Sequence, residues 1–404
     1  MAIRPTARTD VNRSAVLAQL GAHGPTSRAD LARVLGVSPA LMTQITKDLI
    51  ADGLIVELEH SPSQGGRPAR MLGLVASGGR AIGVKVVADH VAFVDVGLDG
   101  AVLRSASEPF DATAPTLLAD LATLLARFIA GGGVTRVLGV GVGVPGSVDR
   151  QGNGVVDSTQ LGWNQVPLGE TLRRALHLPV IVENNVNALA MAERLYGVGR
   201  RHDSFLVVTI GTGVGAGIVV DGVVLRGSSG GAGEIGHTPV AEDGPLCTCG
   251  NSGCLEAIIG EAALVRTARD RGVIGAEAGI AALRAAADAG IPEATAIFGE
   301  AGHLLGRTLA GIVQALDPEL VILLGEGTAA WPHWAFGFEP AFRGALLPLR
   351  RGIEVAVETW QDESWAQGAA SLVLATPFDS DGVAGDQGEL VRARLAAGSR
   401  TESA

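Results

Sequence analysis

The sequence predicts a small winged helix-turn-helix domain followed by a larger, two-lobed α/β body. Helix start and stop signals recur three times before residue 54, and two short strand patterns then flank a Gly-Gly-Arg-Pro tip. In the body, a Val-rich strand that ends in glycines or amides occurs twice, as a two-lobed α/β chain would require. All three cysteines of the 404 residues, Cys247, Cys249 and Cys254, fall in one short stretch.

Composition bounds the reading. A chain of this length with 47% hydrophobic residues and a mean hydropathy of +0.32 is globular and long enough for two or three domains. No run of 18 apolar residues appears, and Met-Ala-Ile-Arg-Pro-Thr-Ala-Arg lacks the apolar centre of a signal peptide, so the expectation is a cytoplasmic protein without membrane contact. The net charge of −11 argues against wholesale affinity for polyanions. The first 80 residues nevertheless hold nine Lys/Arg against six Asp/Glu, so a mildly basic head precedes an acidic body.

Within the head, Val11, Ala15, Val16 and Leu20 recur at helical spacing before Gly21 and Gly24. Ser27-Arg-Ala-Asp30 reads as a variant capping box opening a second helix that stops at Gly36. Ser38 then caps a third helix, with Pro39 at its first position and Leu41, Ile45, Leu49 and Ile50 as its buried stripe. Ala40, Thr43, Gln44 and Lys47 are left facing outward. Two short helices joined by a glycine turn form a helix-turn-helix, in which Ser38, Ala40, Thr43 and Gln44 are candidates to meet base edges and Lys47 a phosphate. Leu54 to Leu58 and Ala69 to Val75 are expected as the strands of a wing, whose slim tip carries Arg67 toward a minor groove.

In the body, Ala81 to Val87 and His90 to Val96 read as a hairpin and Pro115 to Ala130 as a helix. Val137 to Val144 is a buried strand, Val180 to Val182 another that delivers Glu183-Asn184-Asn185, and Val186 to Leu195 a helix. Phe205 to Ile210 enters Gly211-Thr-Gly-Val-Gly-Ala-Gly217, with a second strand at Ile218 to Val220; the glycines suit either a tight β-turn or a phosphate cradle. The implied organisation is a domain over 1–78, a body over 79–376, and a tail over 377–404 that is expected to be disordered or a peripheral helix.

The stretch that holds Cys247, Cys249 and Cys254 follows His237 by nine intervening residues, and three thiolates with one imidazole are the donor set of a closed tetrahedral Zn²⁺ site. Free buried thiols, or one disulfide with a thiol left over, are the alternatives. Cys-x-Cys is badly spaced for a mutual disulfide, and Gly250 and Gly253 allow the loop to wrap around an ion.

Gly233-Glu234-Ile235-Gly236-His237, followed by Cys247-Thr-Cys249-Gly-Asn-Ser-Gly-Cys254-Leu-Glu256, resembles the signature of the ROK family, which groups transcriptional repressors with sugar kinases. The resemblance runs from the helix-turn-helix to about residue 376. It implies an actin-like, hexokinase-type fold for the body, structural zinc on His237, Cys247, Cys249 and Cys254, and a sugar pocket lined by Asn184, Glu234, His237 and Glu256. Carboxylates accept hydrogen bonds from sugar hydroxyls and an amide both donates and accepts, so the residue types suit that ligand.

Departures from the kinase pattern point away from catalysis. Where the family's kinases carry an aspartate general base, this chain has Asn185, which is kept in the pocket as a ligand contact; losing the base costs roughly 10²- to 10⁴-fold in rate. Their first phosphate motif corresponds to Ile82-Gly-Val-Lys-Val-Val, without its acid or paired glycines, and Gln160 stands where Asn commonly precedes Leu-Gly-Trp. The expectation is a non-enzymatic, ligand-responsive DNA-binding regulator, more often a repressor in this family; an active sugar kinase with a DNA-binding domain and a ligand-independent DNA-binding dimer are the alternatives. It would bind a palindromic operator as a homodimer or tetramer, with a sugar or sugar phosphate as effector.

Overall fold

The computed structural model describes residues 12, 13, 15–17, 19–21, 23–58, 70–75, 78–133, 135–149, 152–358, 363–376 and 385–397. They divide into two compact units, one built from residues 1–201 and 362–404 and the other from 202–361.

At the start of the first unit, the described residues between 12 and 23 are helical and bury Val16, Leu17 and Leu20. Ser27 caps the helix Arg28–Val34 by accepting from the Asp30 N–H and donating to its carboxylate at 2.8 Å, so the capping-box reading holds. Ser38 caps Pro39–Ala51 in turn, accepting from the Leu41 N–H. The buried stripe of this helix is Met42, Ile45, Thr46 and Leu49, which corrects the expected one: Leu41 is 41% exposed and Ile50 only half-buried. The face is one position out of phase with the apolar count because Thr46 is buried, satisfied by donating to the Met42 carbonyl and accepting from Arg28 Nε at 2.9 Å. Ile55–Leu58 and Met71–Leu74 pair antiparallel as the wing strands, and Thr26–Ser27 adds to the other edge. Arg67 and the tip, 61–68, lie outside the described residues.

Five strands form the main sheet of this unit. Val180–Asn184, Val137–Val144 and Arg80–Val86 run parallel, and His90–Gly97 and Val102–Pro109 continue the sheet antiparallel. Val102–Pro109 was not foreseen: Val-Leu-Arg-Ser-Ala-Ser-Glu-Pro has few apolar residues, as suits an edge strand with Val102 and Leu103 more than 40% exposed. Val137–Val144 reads Val-Leu-Gly-Val-Gly-Val-Gly-Val for a packing reason. Val140, Val142 and Val144 join a core with the helix Leu117–Ala130, while the alternating glycines face the helix Glu363–Leu374. A Cβ on Gly141 would overlap the Ala369 carbonyl, and one on Gly83 the Ala366 carbonyl, so the helix backbone rests directly on the sheet.

The head is continuous with this packing. Val16, Leu31, Met42, Leu49 and Leu72 belong to the same buried cluster as Val94, Val96, Leu138 and Val373. Val391 and Leu395 join it from the helix Gly385–Ala397, so this part of the tail takes the helical of the two expected forms and is packed rather than peripheral. Their i, i+4 spacing gives the helix one apolar edge despite its polar composition.

The second unit repeats the sheet. Glu354–Val357, Leu320–Leu324 and Phe205–Ile210 are parallel, and Val214–Val220 and Val223–Val224 extend the sheet antiparallel, the same order as in the first unit. Ile210 pairs with Val214, so the glycine-rich run is a tight hairpin turn at 211–213, and Val214–Gly217 are already strand. Pro292–Leu316 and Trp331–Ala345 are its longest helices, packed with Gly302 and Gly306 against backbone of the latter. No helix among the described residues is long and apolar enough to cross a membrane.

Candidate functional site

Three glycines shape the path of the chain into the cysteine loop of the second unit. Gly233, at φ +92°, passes so close to Ala216 that any side chain would overlap its carbonyl oxygen, and Gly236 stands in the same relation to Val214. The Ala216 N–H bonds to the Gly233 carbonyl at 2.8 Å, and the chain then makes a single helical turn, Ile235–His237. Gly253, at φ +73°, closes the loop where the Val240 N–H reaches its carbonyl, and Leu255 donates to the Thr238 carbonyl. The helix Leu255–Ile259 therefore starts beside the turn that carries His237.

This path brings His237, Cys247, Cys249 and Cys254 together, with their donor atoms all within 4.8 Å of one another. Cys249 Sγ lies 3.7 Å from Cys254 Sγ, and Cys247 Sγ lies 3.5 Å from His237 Nδ1. Tetrahedral bonds of about 2.3 Å to sulfur and 2.0–2.1 Å to nitrogen require edges of about 3.8 Å and 3.5 Å, so both spacings fit one ion. Neither fits a disulfide, and all three cysteines are free. Burial and the adjacent thiols push Cys254 up to about 12, whereas a backbone hydrogen bond from Asn251 lowers Cys249. Three cysteine sulfurs and an imidazole this close form a four-donor set that could hold one metal ion.

His237 turns its other nitrogen toward Glu234, Nε2 to Oε2 at 3.7 Å. Desolvation raises the Glu234 carboxyl above the usual range, His237 opposes this and Glu256 adds repulsion, while 40% of the side chain remains exposed. Glu256, in the first turn after Cys254, accepts from the Val214 N–H at 2.9 Å through Oε2, which fixes its direction. The structure thus gathers Glu234, His237 and Glu256 at one place, each tied to the cysteine loop.

Asn184 and Asn185 lie in the first unit, at the end of Val180–Asn184. Asn184 Oδ1 accepts from the Val186 and Asn187 N–H groups and its Nδ2 donates to the Gly146 carbonyl at 2.9 Å, making it the N-cap of Asn185–Leu195. One amide N–H is left for any ligand. Buried Glu183, which the sequence reading passed over, accepts from the Asn184 N–H and Asn187 Nδ2 and so holds this corner. Gln160 is exposed, and Lys85 Nζ sits 5.1 Å over the Trp365 ring.

In the head, Ser38, Ala40, Thr43, Gln44 and Lys47 are all exposed on one helix. Thr43 donates to the Pro39 carbonyl and Gln44 Nε2 to Asp48 Oδ1, both at 2.8 Å, so these two enter any complex from an internally bonded state. Arg28 braces the arrangement, bonding Thr46 with Nε and Glu57 on the wing strand with a terminal nitrogen at 2.7 Å. Its value was not legible beforehand, because the partners are 18 and 29 positions away.

A winged helix built into a duplicated five-stranded α/β fold, with a Cys₃His centre beside two glutamates, defines a winged-helix protein of the actin-like, hexokinase-type class. The chain belongs to the ROK family, whose model matches residues 81–375, and the MarR family model matches residues 9–65. It is 28% identical over 373 residues to the xylose repressor of Bacillus spizizenii, covering 90% of this chain and 95% of that protein. It is 29% identical over 373 residues to the DNA-binding transcriptional dual regulator NagC of Escherichia coli, covering 90% and 92%. Among solved structures, a ROK family transcriptional regulator described as a homolog of E. coli Mlc superposes with a TM-score of 0.80 at 27% identity, over 96% of this chain and 99% of that one. A ROK family glucokinase from Streptomyces griseus in complex with glucose and AMPPNP superposes at 0.65 and 30% identity, over 72% and 98%.

Proposed function

We propose that this protein is a DNA-binding transcriptional repressor of carbohydrate-related genes whose body binds a sugar or sugar derivative without phosphorylating it. The observation that carries the reading is the pairing, in one chain, of an exposed recognition edge with a Cys₃His loop that aims Glu234 and Glu256. The xylose repressor and NagC each match over 90% of this chain, head included, whereas the glucokinase spans 72%. Residues 1–78 bind operator DNA, with Ser38, Ala40, Thr43 and Gln44 toward bases, Lys47 on a phosphate and Arg67 at the wing tip. Residues 79–376 sense the ligand through Glu234, His237, Glu256, Asn185 and the remaining N–H of Asn184. The cation is Zn²⁺, held by His237, Cys247, Cys249 and Cys254, where it orients the Glu256 helix. The protein acts in the cytoplasm, as a homodimer or a tetramer on a palindromic operator, because one recognition helix spans too few base pairs for specificity.

Two features support the absence of phosphoryl transfer. Asn185 cannot take a proton from an attacking hydroxyl. The turn at Gly211 faces the Glu326 carboxylate, which would repel phosphate from a glycine cradle. The competing reading is an active sugar kinase with a DNA-binding appendage, favoured by the likeness to the glucokinase. Thermal-shift screening of hexoses, pentoses, N-acetylhexosamines and their phosphates, repeated with operator DNA, tests the proposal. One class should stabilise the protein and alter DNA release. ATP turnover with such a sugar, lost in Glu256→Ala, would establish the kinase instead.

A further inference from the structure

A basic pocket of about 670 Å³ lies in the first unit, far in sequence from the cysteine loop. One wall is the helix Gly385–Ala397, which contributes Gln387, Leu390, Ala393 and Arg394. The other is Arg136 with the end of the helix Leu168–Leu176, where Arg173, His177, Leu178 and Pro179 face the space. Side-chain-to-backbone hydrogen bonds hold the walls together. Arg136 donates to the Arg394 carbonyl at 2.9 Å, Arg394 Nε to the Val137 carbonyl at 3.0 Å, and the Val180 N–H to Gln387 Oε1 at 3.3 Å.

The charges are unbalanced. Arg136, Arg173 and Arg394 are each half-buried, and among the described residues none lies within ion-pair distance of a carboxylate; Asp149 and Glu170 act on Arg173 only from further away. Of the five N–H donors on each guanidinium, Arg136 and Arg394 spend one on a carbonyl and Arg173 spends two. Desolvation, and then the charge of Arg136, lower the Arg394 guanidinium. In a protein of net charge −11, three half-buried arginines that face a common space, with no carboxylate in ion-pair contact among the described residues, form a cluster of like charge that a bound anion would relieve. Planar guanidinium forks suit phosphate, and Leu178, Pro179, Leu390 and Ala393 offer a carbon body apolar contact.

We propose that this pocket is a second ligand site, for a small phosphate monoester with an apolar body, its phosphate held by Arg136, Arg394 and His177. It is independent of the sugar-sensing reading. Because Val391 and Leu395 of the same helix lie in the cluster that includes the head's core, an occupant would clamp the tail helix against the packing that supports the DNA-binding domain.

Isothermal titration calorimetry of the full chain at low salt, with phenyl phosphate, inorganic phosphate and phenol as probes, tests this. Phenyl phosphate should bind more tightly than inorganic phosphate, phenol should give no heat, and hydrogen exchange of 385–397 should slow. Arg136→Gln should weaken phenyl phosphate about tenfold or more, and Arg136→Lys, which keeps the charge but loses the planar fork, should fall between Arg136→Gln and the parent. His177→Asn, which tolerates the left-handed backbone at φ +53°, should weaken it less and leaves the wall-to-wall bonds untouched. Equal binding by Arg136→Gln and the parent, no preference over phenol, an equally tight inorganic phosphate, or protection confined to other segments would each overturn the assignment.

Discussion

Removing the cation from the cysteine loop should unfold that loop locally while sparing the sheet beneath it. Between Thr238 and Gly253 the only buried residues are Cys247 and Gly253, Val240 is only partly buried, and Leu246 is 76% exposed. The segment therefore has almost no hydrophobic core of its own. Fixing its backbone costs on the order of 16–32 kcal/mol at 1–2 kcal/mol per residue. Two isolated bridges, Pro239 with Cys254 and Leu246 with Ser252, and a few backbone bonds of about 1 kcal/mol net each offset little of this. A structural Zn²⁺ bound with an apparent 10–16 kcal/mol is of the right size to hold it. Hydrogen exchange with and without a strong chelator, and on Cys249→Ser, measures the effect directly. Amide protection across 238–254 should fall at least a hundredfold, with that of 205–210 and 292–316 unchanged. Purified protein should carry one zinc per chain by elemental analysis. Unchanged protection after verified metal removal would falsify the argument, since the loop would then be held by something other than its thiolates.

Two further outcomes follow from named contacts. Gln44→Ala should weaken specific operator binding by roughly 1–3 kcal/mol, whereas Lys47→Ala should weaken all DNA alike and flatten the salt dependence; equal losses on operator and random DNA for both would show that this helix does not read bases. Asn184→Ala should destabilise the protein by about 0.5–2 kcal/mol in urea unfolding, through the lost cap and the freed Gly146 carbonyl, with any effect on ligand affinity appearing separately in titration; no change in stability would mean that the cap is dispensable.

The head and the metal set were legible because their signals are local. Ser27, Ser38 and Pro39 announce helix starts within four positions, and a Cys₃His set needs only donors close in sequence. The elements that escaped depend on partners far along the chain. Val102–Pro109 is a strand only because His90–Gly97 lies beside it, and its polar residues carry no pattern of their own. The phase of Pro39–Ala51 turned on Thr46, a polar residue buried because Arg28 reaches it. The cap that Asn184 places on Asn185–Leu195 is local, but the Gly146 carbonyl that takes its amide lies 38 positions earlier. Glycines at 83 and 141 lie in strands that the sequence predicts, but the reason for them, the helix Glu363–Leu374 laid across them, comes from more than 200 positions away.

The continuous cluster that runs from Val16 and Leu72 into Val94, Leu138 and Val373 has a consequence for engineering. A chimera that cuts this chain near residue 78 and grafts on another reader of DNA would leave raw apolar surface on both pieces. Exchange of promoter specificity in such a scaffold has to carry the matching sheet positions along, or be confined to the outward side chains of Pro39–Ala51. New operators are then reached by resurfacing one helix in place, with the seam beneath it left whole.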